Sequence, residues 1–258
     1  MAAQTLGLLH PGQMGSAVGA CLTAGGNRVF WASEGRSEYS ARRAAEAGLE
    51  DAGTVERVTG QVDIVLSICP PHAALEVAAS AACFEGIYVD ANAVAPETAR
   101  EILQPFARGV DGGIVGGPSA PRLYLSGPDA GSVAELFAGT GVDPVVLAGE
   151  VGAASALKCA YAGWSKGTAA LLLALEELAE LEGVADALHA EWADSVPELS
   201  ERLERAKRSA DRKGWRWIGE MEEIAAALAA QGLPDGFHRA AADVFRNRSR
   251  EWQPGAPS

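Results

Sequence analysis

Short apolar runs alternate with helix-spaced apolar residues through the first 150 positions. Residues 5–10 form an apolar run that Pro11-Gly12 turns. Residues 13–24 then carry apolar side chains at helical spacing and stop at Gly25-Gly26, a helix C-cap signal. Residues 28–32 predict a second strand and 40–47 a helix ending at Gly48. Residues 63–68 (Asp-Ile-Val-Leu-Ser-Ile) read as a strand of the buried, parallel type, which Pro70-Pro71 ends. A helix over 73–82, a strand over 87–90, a helix over 96–106 and shorter strands over 113–115 and 123–126 complete the series. Such alternation predicts an α/β fold, a Rossmann-like parallel sheet with crossover helices.

Near Gly149 the pattern changes. Residues 151–181 predict one long helix almost free of turn residues, with further helices over 196–213, 218–231 and 237–250. No strand is convincing in this half. The expected organisation is a dinucleotide-binding domain over 1–150 and an all-α substrate and dimerisation domain over 151–258, joined by the long helix itself.

Length and composition narrow the function classes. A chain of 258 residues with 48% apolar and 21% charged residues is neither disordered nor a disulfide-rich mini-protein. Its formal net charge of −13 argues against nucleic acid, whose phosphates require Lys and Arg, and for a small-molecule partner. The four cysteines (Cys21, Cys69, Cys83, Cys159) and four histidines are dispersed, without CxxC or HExxH, so no metal site is expected. Isolated cysteines in apolar settings read as reduced core residues. With a start that lacks a basic leader pattern, this suggests the cytoplasm, and no apolar stretch is long enough to span a membrane. The run from Arg202 to Lys213, interleaved with Glu201, Glu204 and Asp211, reads as a solvated helix face.

Candidate chemistry begins at the first strand-to-helix junction. His10-Pro11-Gly12-Gln13-Met14-Gly15 matches the dinucleotide fingerprint GxGxxG in its second and third glycines, with His10 in the first place. Gly12 would admit a pyrophosphate to the backbone, Gly15 would let helix and strand pack, and the helix N-terminus would face the anion. The alternative is a plain tight turn. After the second strand, Ser33 has no charge to repel a phosphate, and Arg36 follows, with Ser37 beside it. That set suits a 2′-phosphate, hence NADP; Glu34, rotated inward, would favour NAD, and Arg36 could equally be a solvated loop charge.

The segment 9–15 resembles the start of the β-hydroxyacid dehydrogenase and 6-phosphogluconate dehydrogenase superfamily. Residues 89–96 (Val-Asp-Ala-Asn-Ala-Val-Ala-Pro) resemble its loop along the nicotinamide. Residues 111–118 (Asp-Gly-Gly-Ile-Val-Gly-Gly-Pro) resemble its substrate segment, and residues 149–158 the segment that ends in its catalytic lysine. The stretch 215–238 is similar to a poorly characterised subgroup with its own helical C-terminal domain. The resemblance implies a cofactor site including Gly12, Gln13, Met14, Gly15, Ser33, Arg36, Ser37, Cys69, Pro70 and Asn92. It implies substrate contacts at Gly116, Gly117, Tyr161 and Ser165. Lys158, alone among the apolar Ala156, Leu157, Cys159 and Ala160, either snorkels or works, and is the candidate catalytic residue. Its ammonium would give a proton to the developing alkoxide while nicotinamide gives the hydride, and burial would lower its pKa.

The sequence departs from the family at two places. The asparagine expected one turn after the lysine is Ala162, leaving Tyr161, Ser165 or Lys166 to take its task, and the serine before the paired glycines is Val115. Asn92 would contact nicotinamide ribose or substrate, or else cap the helix at Pro96. Trp215, Trp217 and Trp252 would line a site or belong to the core, and His238 would reach a site across a dimer interface or else be a surface or core histidine. The expected activity is NADP-dependent hydride transfer on a small carboxylate-bearing hydroxy or keto compound. The alternatives are an NADPH-dependent imine reductase and a non-catalytic nucleotide-binding or redox-sensing protein. The Ala-, Leu-, Ile- and Trp-rich helices predict a homodimer through the C-terminal half.

Overall fold

A computed structural model describes residues 4–250 of the chain. Strands and helices follow in the order β1 (Thr5–Leu9), α1 (Gln13–Ala24), β2 (Arg28–Trp31), α2 (Glu38–Glu46), β3 (Glu50–Asp51), α3 (Val55–Thr59), β4 (Ile64–Ser67), α4 (Ala74–Ser80), β5 (Ile87–Asp90), α5 (Pro96–Leu103), β6 (Gly109–Val115), β7 (Arg122–Ser126), α6 (Ala130–Glu135) and β8 (Asp143–Val146). Four helices complete the chain: α7 (Ala153–Leu181), α8 (Ala185–Ser195), α9 (Glu198–Ala230) and α10 (Gly236–Arg250). The chain divides into two compact units, Met1–Lys158 and Cys159–Ser258.

The first unit is an eight-stranded sheet in the order β3-β2-β1-β4-β5-β6-β7-β8. Its middle strands are apolar along their length because helices cover both faces. Alternation then sorts the side chains by face. Leu6, Leu8, Ile64, Leu66, Ile87 and Val89 join one core with Val18 and Leu22 of α1. Leu9, Val65 and Tyr88 join the other, with Val58 of α3, Val77 of α4 and Ile102 of α5. Tyr88 stacks on Phe106 with ring centroids 4.0 Å apart. Chain order reverses between β1 and β4, the crevice at which doubly wound sheets receive ligands.

Every strand pairing is parallel except β6 with β7. Only six residues, 116–121, join these two strands, too few for the crossover that parallel pairing needs. Two short strands and two short helices of this unit, β3, α3, β8 and α6, carry too few apolar residues to announce themselves in sequence.

The second unit is helical. Ala170 and Leu173 of α7, Leu203, Trp217, Met221 and Ile224 of α9, and Phe245 of α10 form its core. Trp217 meets Phe245 edge-on, with centroids 5.0 Å apart. The separate helices expected over 196–213 and 218–231 are one continuous helix, α9. Gly214 does not break it because it is buried in mid-helix, facing Phe245, and no proline interrupts the run. α8 was missed as well. On α9 the basic residues form i,i+4 pairs (Arg205 with Glu201, Arg208 with Glu204), as a solvated face should. Lys207 and Lys213 depart from this, Lys207 reaching the buried Glu176 of α7 at 2.8 Å and Lys213 lying over the Trp217 ring. The cysteines are all free; Cys159 is buried, but Cys83 is exposed and is not the core residue expected.

Candidate active site

Strand β1 leads straight into the first turn. Gly12 N donates to His10 O at 2.8 Å, and Gly12 begins α1 as its N-cap. A Cβ on Gly15 would lie 2.4 Å from His10 O, so no larger residue allows α1 to sit this close to the turn. Beside Gly12 the space is open. The first turn of α1 holds no acidic residue and no side-chain cap, which leaves its positive end, at Gln13 and Met14, available to an anion.

His10 is the one non-glycine residue with positive φ among the described residues, at +69°. In that conformation its ring reaches Arg36, and Arg36 Nη1 lies 2.5 Å from His10 Nε2. Burial first, then the Arg36 and His72 charges, lowers the His10 pKa to about 4. Arg36 is therefore half-buried at the turn rather than a free loop charge, and Glu34 is exposed. Ser37 caps α2, its Oγ accepting from Ser40 N at 3.2 Å. Ser33 is half-buried and its carbonyl accepts from Arg36 N.

At the ends of β4 and β5 a buried polar cluster replaces the apolar core. Asn92 Oδ1 accepts from Cys69 N at 2.6 Å, and its Nδ2 donates to Ser67 Oγ and to Asp90 Oδ1. The helix-capping alternative for Asn92 does not occur, because Ala95 is the N-cap of α5. Asn92 instead holds the Cys69-Pro70 loop. Burial, together with the neighbouring Asp111, raises Asp90 to about 8. Burial and Asp90 push the Cys69 thiol up to about 12, so it stays protonated.

A second polar knot joins β6 to α7. Asp111 Oδ2 accepts from Ser126 Oγ at 3.0 Å, Gly152 N at 2.9 Å and Ser155 N at 3.0 Å, while Oδ1 accepts from Ser155 Oγ at 2.6 Å. A Cβ on Gly113 would come within 2.8 Å of Ala154 O and 3.0 Å of Lys158 Cβ, so glycine there permits the helix to approach the strand. This brings Lys158 Nζ to 2.6 Å from Ile114 O, where it donates. Immediately beyond Ile114, the loop with Gly116 and Gly117 is exposed, and Gly116 has φ +95°. Ser67, Asp90, Asp111, Ser126 and Ser155, all buried, were not singled out as site residues from sequence; Ser67, Asp90 and Ser126 are polar residues at the ends of apolar strands, Asp111 lies within β6 and Ser155 in the first turn of α7.

Along α7, Tyr161 and Ser165 are exposed and Ala162 is buried. Lys166 is engaged with Glu220 of α9 and lies over the Trp217 ring, and is thus committed within the helical unit. His238 Nε2 is 3.3 Å from Gly163 O, so this histidine packs on its own chain's α7. Trp217 is core, Trp215 is partly exposed, and Trp252 lies outside the described residues. Among the described residues no His, Cys, Asp or Glu group could hold a metal, and no helix is long and apolar enough to cross a membrane.

Comparison with known proteins agrees with this architecture. A domain of unknown function, DUF1932, matches residues 179–247. An uncharacterized 28.5 kDa protein from the 7S RNA 5′ region of Methanothermus fervidus is 32% identical over 159 residues, 60% of this chain. The match spans 63% of that relative's length. A solved conserved protein of unknown function, described as structurally similar to 3-hydroxyacid dehydrogenases, is 26% identical, with 95% of this chain and 97% of that one covered and a TM-score of 0.71. The Aspergillus terreus reductive aminase in complex with NADPH shares the fold at 20% identity, with 99% and 97% covered and a TM-score of 0.60.

Sheet order and first turn define a doubly wound α/β protein with a helical second unit. More particularly, the DUF1932 match in the helical unit and the similarity to a solved protein described as resembling 3-hydroxyacid dehydrogenases are consistent with the β-hydroxyacid dehydrogenase superfamily.

Proposed function

We propose that the chain is an NADP-dependent oxidoreductase that interconverts an alcohol and a carbonyl on a small carboxylate-bearing compound. The observation that carries this reading is the placement of Lys158 beside the exposed loop of Gly116 and Gly117, at the carboxyl edge of the sheet. A nicotinamide cofactor would supply the hydride. Gly12 and the N-terminus of α1, free of acidic residues, suit its pyrophosphate, and Arg36 with Ser33 and Ser37 suits a 2′-phosphate. NADP is thus the expected cofactor, with NAD the alternative.

In this reading Lys158 donates a proton to the carbonyl oxygen as it becomes an alkoxide, and removes it in reverse. Its bond to Ile114 O aims the ammonium, and Asp111 anchors the helix that carries it. Gly116 and Gly117 offer backbone to a carboxylate, while Tyr161 and Ser165 lie one and two turns beyond the lysine on α7. The reductive aminase likeness keeps imine reduction as the second reading; a retained lysine favours carbonyl chemistry.

A homodimer through the helical half is part of the same proposal. Tyr161, Trp164, Leu171, Leu175, Leu178 and Leu181 are exposed at helical intervals along α7, a stripe suited to a second copy. The free cysteines fit a reducing compartment such as the cytoplasm.

Titration with NADPH and NADH, followed by turnover on a panel of hydroxyacids and cyclic imines, tests the reading. NADP reduction by hydroxyacids supports it, and turnover of imines alone shifts it to the second reading. Cofactor binding without any turnover leaves a nucleotide-binding protein.

A further inference from the structure

The residue in the first glycine place of the fingerprint is a histidine held at φ +69°, a conformation that glycine adopts most easily and that Asn, Asp and His adopt more often than other residues. Histidine adds to that place a side chain that glycine would not. The ring is bonded to Arg36, 26 residues away, through Nε2. An arginine is always protonated and its nitrogens only donate. Nε2 is therefore the acceptor, the imidazole is neutral, and its proton sits on Nδ1. Two buried polar atoms at this spot have no hydrogen-bond partner, His10 Nδ1 and Arg36 Nε. By this assignment both are N–H donors. A guanidinium and an imidazole that leave two donors unpaired, next to the open face of Gly12 and an uncapped helix N-terminus, form a setting that calls for an anion.

We propose that His10 is a positioning residue for cofactor choice. Its neutral imidazole fixes the guanidinium of Arg36 over the first turn, where Arg36 takes a phosphate monoester, the 2′-phosphate of the nucleotide. This rests on the NADP reading above and goes beyond it by assigning the discrimination to a pair rather than to the arginine alone. Glycine at position 10 would relieve the backbone and leave Arg36 unheld. Glutamine would restore an acceptor at about the reach of Nε2.

Calorimetric titration of the full chain with NADPH, NADH and 2′,5′-ADP tests the pair without any substrate. The wild type should prefer NADPH and bind 2′,5′-ADP. His10→Gly should weaken NADPH and 2′,5′-ADP by about tenfold, one charge-assisted hydrogen bond's worth, and leave NADH unchanged. His10→Gln should recover most of that loss. Position 10 favours glycine, so His10→Gly should fold, and its thermal melt should match or exceed the wild type. If Arg36→Ala loses NADPH preference while His10→Gly keeps it, the positioning role is wrong and the NADP reading stands. If the wild type shows no preference for NADPH, the cofactor reading fails and the pair fails with it.

Discussion

Ser155 Oγ donates to Asp111 Oδ1 at 2.6 Å across 44 residues of sequence, and the same carboxylate accepts from Ser155 N. One side chain within β6 thus ties down the first turn of α7, and Lys158 follows one turn later. Asp111→Asn keeps the shape but removes the charge: with the amide oxygen towards the N–H groups, the amide nitrogen faces Ser155 Oγ, which can accept. We expect a loss of about 2 kcal/mol, because charge-assisted hydrogen bonds become neutral ones. Ser155→Ala should cost about 1 kcal/mol. Urea unfolding midpoints check both; an unchanged midpoint for Asp111→Asn would mean that the carboxylate is not the anchor.

Lys158→Met keeps the aliphatic stem and removes the proton donor. Turnover should fall by about 10²–10⁴-fold, the usual worth of general acid help, while NADPH affinity and melting temperature stay near wild type. Near-normal turnover on the true substrate would turn the mechanism towards imine reduction. Ala162→Asn should not abolish activity, since in the proposed site the bond from Lys158 to Ile114 O already orients the lysine without an amide at that turn.

Arg36→Ala should weaken NADPH by about 10- to 150-fold and leave NADH nearly unchanged, as fits the loss of a charge-assisted hydrogen bond of roughly 1.5–3 kcal/mol. Fluorescence titration of the bound nucleotide reads the ratio directly. Equal weakening of both nucleotides would count against a 2′-phosphate contact.

Asp90 couples stability to pH. Burial holds its folded pKa near 8, whereas an unfolded aspartate titrates near 3.9. Between about pH 4 and 8 the folded chain keeps a proton that the unfolded chain releases. Stability therefore falls as pH rises through that window and levels off above it. Asp90→Asn should remove this contribution, so the gap between variant and wild type in urea midpoint should be more favourable to the variant at pH 8 than at pH 5. A constant gap would place the carboxyl's titration elsewhere.

Charging the exposed stripe of α7 should break self-association. Trp164→Glu together with Leu171→Glu should convert a dimer into a monomer by light scattering at micromolar concentration, without loss of helix content. A wild-type monomer would refute the dimer outright.

Much of the first unit was legible because its middle strands are continuous apolar runs and its turns carry glycine and proline. β3 and β8 were not, since two acidic residues and an Asp-Pro-Val-Val segment have no strand signal apart from the neighbours they pair with. The break expected between residues 213 and 218 does not occur, because Gly214 packs against Phe245 inside one helix, which only the tertiary fold reveals. Lys158 and the first turn were visible as types at spacings. The His10–Arg36 bond was not, because it depends on a backbone conformation that sequence does not announce in histidine. The knot around Asp111 likewise joins residues from three separate segments.

The two margins of the sheet have a bearing on how copies of the chain meet. One margin is β3, only two residues long, exposed and acidic; the other is β8, where Asp143 pairs with Arg122 and Pro144 withholds an N–H. Short, charged or proline-bearing margins give a neighbouring strand no template to continue the ladder. The sheet is closed to growth by strand addition, a route that in an unprotected eight-stranded sheet leads towards fibres. Growth of the sheet from copy to copy is thereby discouraged, and the surface proposed above for a second copy, the exposed face of α7, lies away from both margins in sequence.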